Sequence, residues 1–215
     1  MALLGIDGSG KSTHSEAVKR WFELRGYKCA VLQFHRYILL DSFARKPKGT
    51  LVTQGMQRGG NPLRPVISLF DNLLEYTLTA FGVGFRGRVS VYDRYIWSTY
   101  IKYKALGYPV GLISKLYLLP KPTMAIVLDI PVSRSLEVIE SRPTHIRYQA
   151  KILAQEREEY LRLASAKGYP VIDSTASFLE VQAEIEKALS RRFPSRVSDS
   201  PRISPSAAVS QDQPN

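Results

Sequence analysis

The sequence predicts an α/β fold, a doubly wound five-stranded parallel sheet flanked by helices in one domain. Three observations predict it. Short apolar runs alternate with longer stretches of helical periodicity. One run, Thr123 to Ile130, is almost continuously apolar, as strands buried on both faces are. A glycine-rich segment, Gly5 to Gly10, separates the first run from the first helical stretch, so that strand, loop, helix and strand follow within about 35 residues.

The elements follow in order. Met1 to Ile6 reads as a short buried strand. Lys11 to about Arg25 reads as a helix, with Val18, Trp21, Phe22 and Leu24 on its apolar side and Gly26 as its stop. Lys28 to Phe34 is the second strand. Phe43 to Pro65 is rich in glycine and proline and carries Arg45, Lys46, Lys48, Arg58 and Arg64. No acidic residue falls between Asp41 and Asp71, so this stretch reads either as a solvated loop or as a segment that closes over an anionic substrate. Pro65 to Phe81 is a long helix through Ile67, Phe70, Leu73, Leu74 and Leu78, with Gly82 and Gly84 ending it. Val89 to Tyr92 is the third strand and closes on Asp93-Arg94-Tyr95. Ile96 to Leu106 and Val110 to Leu118 read as helices, Thr123 to Ile130 as the fourth strand, and Pro131 to Ile139 as a helix with proline at its first position. Pro143 to Lys167 is a basic turn and a charged helix, ended by Gly168. Tyr169 to Ile172 is the fifth strand and Phe178 to Phe193 the last helix. The Ser- and Pro-rich stretch 195–215 is expected to be a disordered tail, and 1–194 the folded domain.

Composition narrows the function. The chain has 215 residues, 44% of them hydrophobic, which suits one core. No run reaches the eighteen apolar residues of a membrane span, and the glycine-rich motif at the start leaves no room for a leader; a cytoplasmic protein without a membrane partner is expected. Cys29 is the only cysteine, so no internal disulfide can form and a buried thiol is expected. The formal charge is +11, and the body before Arg191 keeps +9, with 26 basic against 17 acidic residues. Such a field favours anionic ligands. The basic residues do not gather into the long runs of a nucleic-acid arm, so polyphosphate nucleotides rather than nucleic acid are the expected partners.

Gly5, Gly10, Lys11 and Ser12 match G-x-x-x-x-G-K-[ST] in full, between a predicted strand and a predicted helix. Each residue type has a reason. Glycines let the backbone turn so that its N–H groups meet phosphate oxygens, and the helix adds the positive end of its dipole. Lys11 reaches the β- and γ-phosphates, and Ser12 offers a hydroxyl to Mg²⁺. The whole run Gly5-Ile6-Asp7-Gly8-Ser9-Gly10-Lys11-Ser12-Thr13 is therefore the expected binding loop for ATP and Mg²⁺. Asp93 ends a predicted strand on the same sheet edge, where a second magnesium-organising carboxylate belongs. Arg94 beside it could bridge donor and acceptor phosphates. Arg142 and Arg147 flank Pro143 and Thr144 in an expected lid, at about 141–152, that would exclude water and supply transition-state charge. Arg157 and Arg162 look like exposed partners of Glu156, Glu158 and Glu159. His14, His35 and His145 lack metal-ligand spacing, and His14 has no expected chemical role.

The loop, with aspartate inside it, strongly resembles that of the thymidylate kinases. Asp93-Arg94-Tyr95 followed by Ser98 resembles the family's second motif, Val127-Leu128-Asp129-Ile130-Pro131 its approach to the lid, and Val171-Ile172-Asp173-Ser174 its last strand. The resemblance spans about residues 1 to 190. It implies a P-loop nucleotide-kinase fold that transfers the γ-phosphoryl of ATP to a nucleoside monophosphate, dTMP giving dTDP. It also implies that Asp7 sits near the acceptor sugar, that Arg94, Arg36 and Phe70 contact the acceptor, and that the lid arginines complete catalysis. A homodimer packed through helices is implied too.

The departures are specific. An arginine that reads the thymine edge is replaced near Leu73, where neither Leu73 nor Leu74 can donate a hydrogen bond. A Tyr-Gln pair that contacts base and sugar is replaced by Lys102-Tyr103. The lid's Asp-Arg-x-Glu is replaced by Ile146-Arg147-Tyr148-Gln149. An Arg-Glu-Pro segment gripping the acceptor phosphate is replaced by His35-Arg36-Tyr37, with Arg36 or Arg45 as substitutes. Phosphate-handling groups are retained and base-reading groups changed, which relaxes or redirects selectivity. A nucleoside or other small-molecule kinase on this scaffold, or a regulator that binds ATP without transfer, are the alternatives.

Overall fold

The computed structural model describes residues 1–33, 63–84, 88–118, 121–142 and 149–195. Its elements are β1 (Ala2–Leu4), α1 (Lys11–Leu24), β2 (Cys29–Gln33), α2 (Arg64–Gly84), β3 (Val89–Asp93), α3 (Ile96–Ala105), α4 (Ser114–Tyr117), β4 (Ala125–Asp129), α5 (Val132–Glu140), α6 (Ala150–Lys167), β5 (Val171–Asp173) and α7 (Phe178–Ser190). The five strands form one parallel sheet in the order β2-β3-β1-β4-β5. The predicted fold class is therefore the observed one.

Strand periodicity divides the core between two faces. Ala2 and Leu4 of β1, with Ala125 and Val127 of β4, pack on one face with Leu69 of α2, Trp97 and Ile101 of α3, Ile139 of α5 and Leu153 and Tyr160 of α6. Leu3, Ile126 and Leu128 point the other way, onto Val18, Trp21 and Phe22 of α1 and Val181, Ile185 and Leu189 of α7. Alternate residues of one strand thus feed two separate cores. This is why β1 and β4 contain no polar side chain before their C-terminal ends.

The strand order fixes where chemistry can occur. β1 lies between β3 and β4, with Leu3 level with Asp93 and Leu4 level with Val127. The C-terminal ends of all three meet at one edge, from which the glycine-rich loop, Asp93-Arg94 and Asp129 emerge. The reversal of connection direction on either side of β1 opens the crevice in which ligands bind in such sheets.

Several sequence boundaries shift. β1 has three residues rather than six, because the chain turns away at Gly5. Gly82 and Gly84 do not stop α2 at Phe81; the helix runs to Gly84. An internal glycine costs a helix only about 1 kcal/mol relative to alanine, and the apolar face of α2 outweighs it. The helix expected at Val110–Leu118 is one turn, Ser114–Tyr117, held where the Tyr117 hydroxyl donates to the Pro65 carbonyl at 2.5 Å. Pro131 caps α5 from outside (φ −58°, ψ 142°) and is not its first residue. Leu24, expected on the apolar side of α1, is 80% exposed. The expected thiol burial at Cys29 is observed, and that burial pushes the thiol up to about 11. No described helix is long and apolar enough to cross a membrane.

Phe22 anchors the α1 face. It is fully buried and meets the rings of Trp21, Tyr27 and Phe193 edge-on, at 5.1, 5.6 and 5.1 Å between centroids. Phe22→Ala removes all three contacts and should cost about 3–5 kcal/mol of unfolding free energy, read from the urea midpoint.

Candidate functional site

The site begins where β1 ends. Gly5 takes φ +140°, and a Cβ built there would lie 2.4 Å from the Leu128 carbonyl oxygen of β4 and 2.8 Å from Ser9 Oγ. Only glycine fits. Gly8 (φ +86°) packs against Ser135 of α5, whose backbone oxygen would be 3.0 Å from an added Cβ. The Ser135 hydroxyl donates to the Asp7 carbonyl at 2.6 Å, so α5 holds the loop from one side. Gly10 (φ +79°) forms the N-cap of α1, and no side chain caps that end. The first-turn N–H groups of α1 and its positive dipole end therefore face the loop. Ser12 and Thr13 are exposed there.

Lys11 is buried in the loop. Its ammonium donates to the Ile6 carbonyl at 2.7 Å and contacts Ser9 Oγ at 3.4 Å. Burial, and then the nearby Arg94 cation, pull it down to about 8, although Asp7, Asp93 and Glu156 act in the opposite direction. His14, one turn on, stacks on Phe178 (4.9 Å, 9°) and meets Gln182 Oε1 at 3.0 Å. It ties α1 to α7.

Asp93 and Arg94 arrive from the neighbouring strand. Asp93 is buried, and its Oδ1 has no hydrogen-bond partner among the described residues. Arg94 has φ +72°, the one non-glycine residue with positive φ among those described. A side chain held in that region stores of the order of 1–3 kcal/mol, which the surroundings must overcome. Here the Arg94 N–H donates to the Leu3 carbonyl at 3.4 Å, and its guanidinium pairs with Asp7 of the loop. The strained turn thus aims Arg94 back across the sheet edge at the loop.

Glu156 is the residue that sequence reasoning misplaced. In a charged helix it reads as one of several exposed acids. In the fold it is buried on α6 with Leu153, Tyr160 and Ala164 at helical spacing. Burial raises it to about 6; Lys102 is the largest of the charges acting on it, followed by Asp7, Arg94 and Lys11. Three buried acids (Asp7, Asp93, Glu156) and the buried Lys11 therefore share one neighbourhood with the half-buried Arg94 and Lys102. The available signal was spacing: 153, 156, 160 and 164 form an i, i+3, i+7, i+11 stripe with Glu156 inside it.

Its neighbour Arg157 also departs from expectation. It grips Asp129 at the end of β4 with two bonds of 2.7 Å, from Nε and from an NH2 group. The Asp129 carbonyl in turn accepts from the Ser174 amide and hydroxyl, both at 2.8 Å. This fork seats α6 on the sheet edge and turns Glu156 inward. Arg162 pairs with Glu158 and Glu159 as expected.

Of the remaining expected site residues, Arg142 is exposed just beyond α5. Arg36 and Arg147, with Arg45, His35 and His145, lie outside the described residues. Phe70 is on the outer side of α2, 61% exposed, in line with Leu74 and Leu78. On the inner side, Ser68 Oγ and Tyr103 OH are buried and 2.5 Å apart. No cluster of three or more metal-ligating side chains occurs among the described residues. A metal held here would depend on Asp93, on hydroxyls such as Ser12 and on the bound phosphates. The buried, unpartnered Asp93 Oδ1 fits that arrangement.

No family model matches the chain. It is similar to curated proteins along most of its length. A probable thymidylate kinase of Pyrococcus horikoshii is 25% identical over 199 residues, covering 86% of this chain and 92% of that protein. A probable thymidylate kinase of Pyrobaculum calidifontis is 27% identical over 202 residues (91% and 97%). The thymidylate kinase of Neisseria meningitidis is 29% identical over 217 residues (90% and 97%).

Lys11 allows a test of this electrostatic arrangement. Its folded value, about 8, lies below the ordinary 10.5, so between those limits the unfolded chain binds more protons and stability rises with pH. Wild-type protein should gain stability between about pH 8 and 10.5. Lys11→Met should lack that increment, so the two curves of urea midpoint against pH should converge upward through this window.

Proposed function

We propose, from the premise that the chain is a divergent member of the thymidylate kinase family, that it transfers the γ-phosphoryl group of ATP to the 5′-phosphate of a nucleoside monophosphate. The proposed acceptor is dTMP, and the products are dTDP and ADP. The observation that carries this reading is the joining of two motifs from different strands, through the Arg94–Asp7 ion pair at the mouth of the Gly5–Gly10 loop. An acceptor without a phosphate has no need of a guanidinium at that point.

In this reading the loop amides and the N-terminus of α1 bind the β- and γ-phosphates. Lys11 leaves the Ile6 carbonyl and bonds to them, which also returns its proton affinity toward the ordinary range as anionic charge replaces desolvation. Arg94 exchanges part of its hold on Asp7 for the acceptor phosphate and keeps it in line with the γ-phosphorus. An acceptor oxygen forms the new P–O bond as the bond to the β-bridging oxygen breaks, and the electron pair leaves with ADP. Positioning and charge stabilisation supply the acceleration. Ser12 and Asp93 would hold Mg²⁺, which when bound neutralises charge shared by the β- and γ-phosphates. The segment at about 141–152 closes over the site in this proposal, with Arg142 and Arg147 adding positive charge. Arg36 and Phe70 complete the acceptor contacts, and the tail 195–215 takes no part.

A homodimer belongs to the same proposal. α2 has two apolar sides. The inner side enters the core through Leu69, Leu73 and Tyr76, while Leu63, Phe70, Leu74 and Leu78 stand exposed on the other. An exposed stripe along one helix is the surface that a second copy would cover. The chain is expected to sediment as a dimer, and a Leu74→Glu, Leu78→Glu double variant as a monomer.

The activity test is ATP consumption with Mg²⁺ against dTMP, dUMP, the other monophosphates and thymidine. Arg94→Ala should lower kcat by two to three orders of magnitude on the best monophosphate, about the loss seen when one charge-stabilising donor is removed from a transition state. Turnover with thymidine but with no monophosphate would remove the acceptor-phosphate role of Arg94. Unchanged turnover in Lys11→Ala would remove the phosphate-loop mechanism altogether.

A further inference from the structure

Glu156 has more structure around it than phosphoryl transfer uses. Its Oε1 is buried without a hydrogen-bond partner among the described residues. Burying an acceptor unsatisfied is costly, and more so when it carries charge. In a native protein such an atom calls for a functional explanation.

Its surroundings limit what that explanation can be. Glu156 and Tyr160 lie one turn apart on the inner face of α6, and Ser98 and Lys102 lie one turn apart on α3. The Tyr160 hydroxyl is hydrogen-bonded to Ser98. Of the charges that act on Glu156, that of Lys102 has the largest effect. α3 and α6 pack against one another, so the Tyr160–Ser98 pair lies between them and the Lys102 charge acts on Glu156 across the same seam. Asp7 and Arg94 act on both Glu156 and Tyr160, so this seam borders the place where Arg94 meets the loop. Lys104, on the outer side of α3, fastens the same two helices through Glu159 at 2.6 Å.

A nucleotide's phosphate is repelled by these carboxylates and belongs with Arg94 and Lys11. Its sugar hydroxyls are the groups that donate to a carboxylate and accept from an ammonium at once. An acidic side chain recognising a ribose hydroxyl is a recurrent device in nucleotide sites. Two carboxylates stand at this edge, Asp7 and Glu156, and a ribose offers two neighbouring hydroxyls where a 2′-deoxyribose offers one.

We infer that Glu156, with Lys102 beside it, reads the sugar hydroxyls of the acceptor and fits a ribose cis-diol. Ribonucleoside monophosphates are then phosphorylated at least as well as their 2′-deoxy counterparts. This rests on the phosphoryl-transfer reading above and adds to it the class of sugar. Glu156 sets specificity in this account, and Lys102 positions it.

The test compares acceptors that share a base and differ by one hydroxyl: ribothymidine monophosphate against dTMP, and UMP against dUMP. Wild-type protein is expected to give a kcat/KM for each ribonucleotide equal to or above that of its deoxy partner. Glu156→Gln should lower the ribo-to-deoxy ratio at least tenfold and leave the KM for ATP unchanged. Lys102→Met should move the ratio in the same direction, and it serves alone if Glu156→Gln does not fold. Wild-type preference for the deoxy acceptors would overturn the inference and leave the transfer reading standing. So would an unchanged ratio, or an equal fall on both sugars, which would mark Glu156 as structural or metal-related. Turnover of none of the four acceptors would overturn both readings.

Discussion

One close approach between two backbones underlies the candidate site. Gly5 passes so near the Leu128 carbonyl of β4 that no side chain can stand between them. That approach exists because β4 is the hydrogen-bonded neighbour of β1, with Leu4 level with Val127. The loop therefore leaves the sheet at a fixed height, and its next contacts follow from there. Gly8 rests on Ser135, the Ser135 hydroxyl holds the Asp7 carbonyl, and the Lys11 ammonium folds onto the Ile6 carbonyl. A loop supported in this way presents its amides without reorganising, the condition for strong electrostatic stabilisation of a transferring phosphoryl group.

The second constraint is electrical. Six ionisable side chains act on one another here, Asp7, Lys11, Asp93 and Glu156 buried and Arg94 and Lys102 half-buried, and their formal charges cancel. Isolated, any one of them would be costly to bury. Together they interact strongly enough to be retained but remain imperfectly satisfied: burial draws Lys11 down to about 8 and pushes Glu156 up to about 6. The unpartnered oxygens of Asp93 and Glu156 lie in this same set. In the proposed reaction this arrangement would receive a ligand that brings both phosphate charge and hydroxyl donors, and the stabilisation forgone in the folded chain would become differential affinity.

The helices above the sheet carry the departures from the thymidylate kinase pattern, and packing explains what they do. Tyr103, in the Lys102-Tyr103 pair that departs from the Tyr-Gln of the resemblance, bonds to Ser68 of α2 and so joins α2 to α3. The charge of Lys102, the next residue, acts instead on Glu156 of α6. Adjacent residues on one helix point about 100° apart, so this pair serves two different neighbours.

The sequence by itself determined the fold class, the five strands and the glycine-rich loop between β1 and α1, because these depend on patterns local in the chain: apolar runs, the spacing of glycines, and a lysine and a serine at the start of a helix. Asp93 and Arg94 were legible for the same reason, as an acid and a base ending a strand. The tertiary structure alone decided the pairing of Arg94 with Asp7, 87 residues apart, and the fork between Arg157 and Asp129. It alone turned Glu156 inward while Glu158 and Arg162 stayed at the surface. A charged helix has one polar pattern but many possible rotations about its axis. Which of its acids is buried depends on where the neighbouring strand ends and what that end can grip, and here Asp129 grips Arg157. That is a fact about the sheet edge, and no window of sequence contains it.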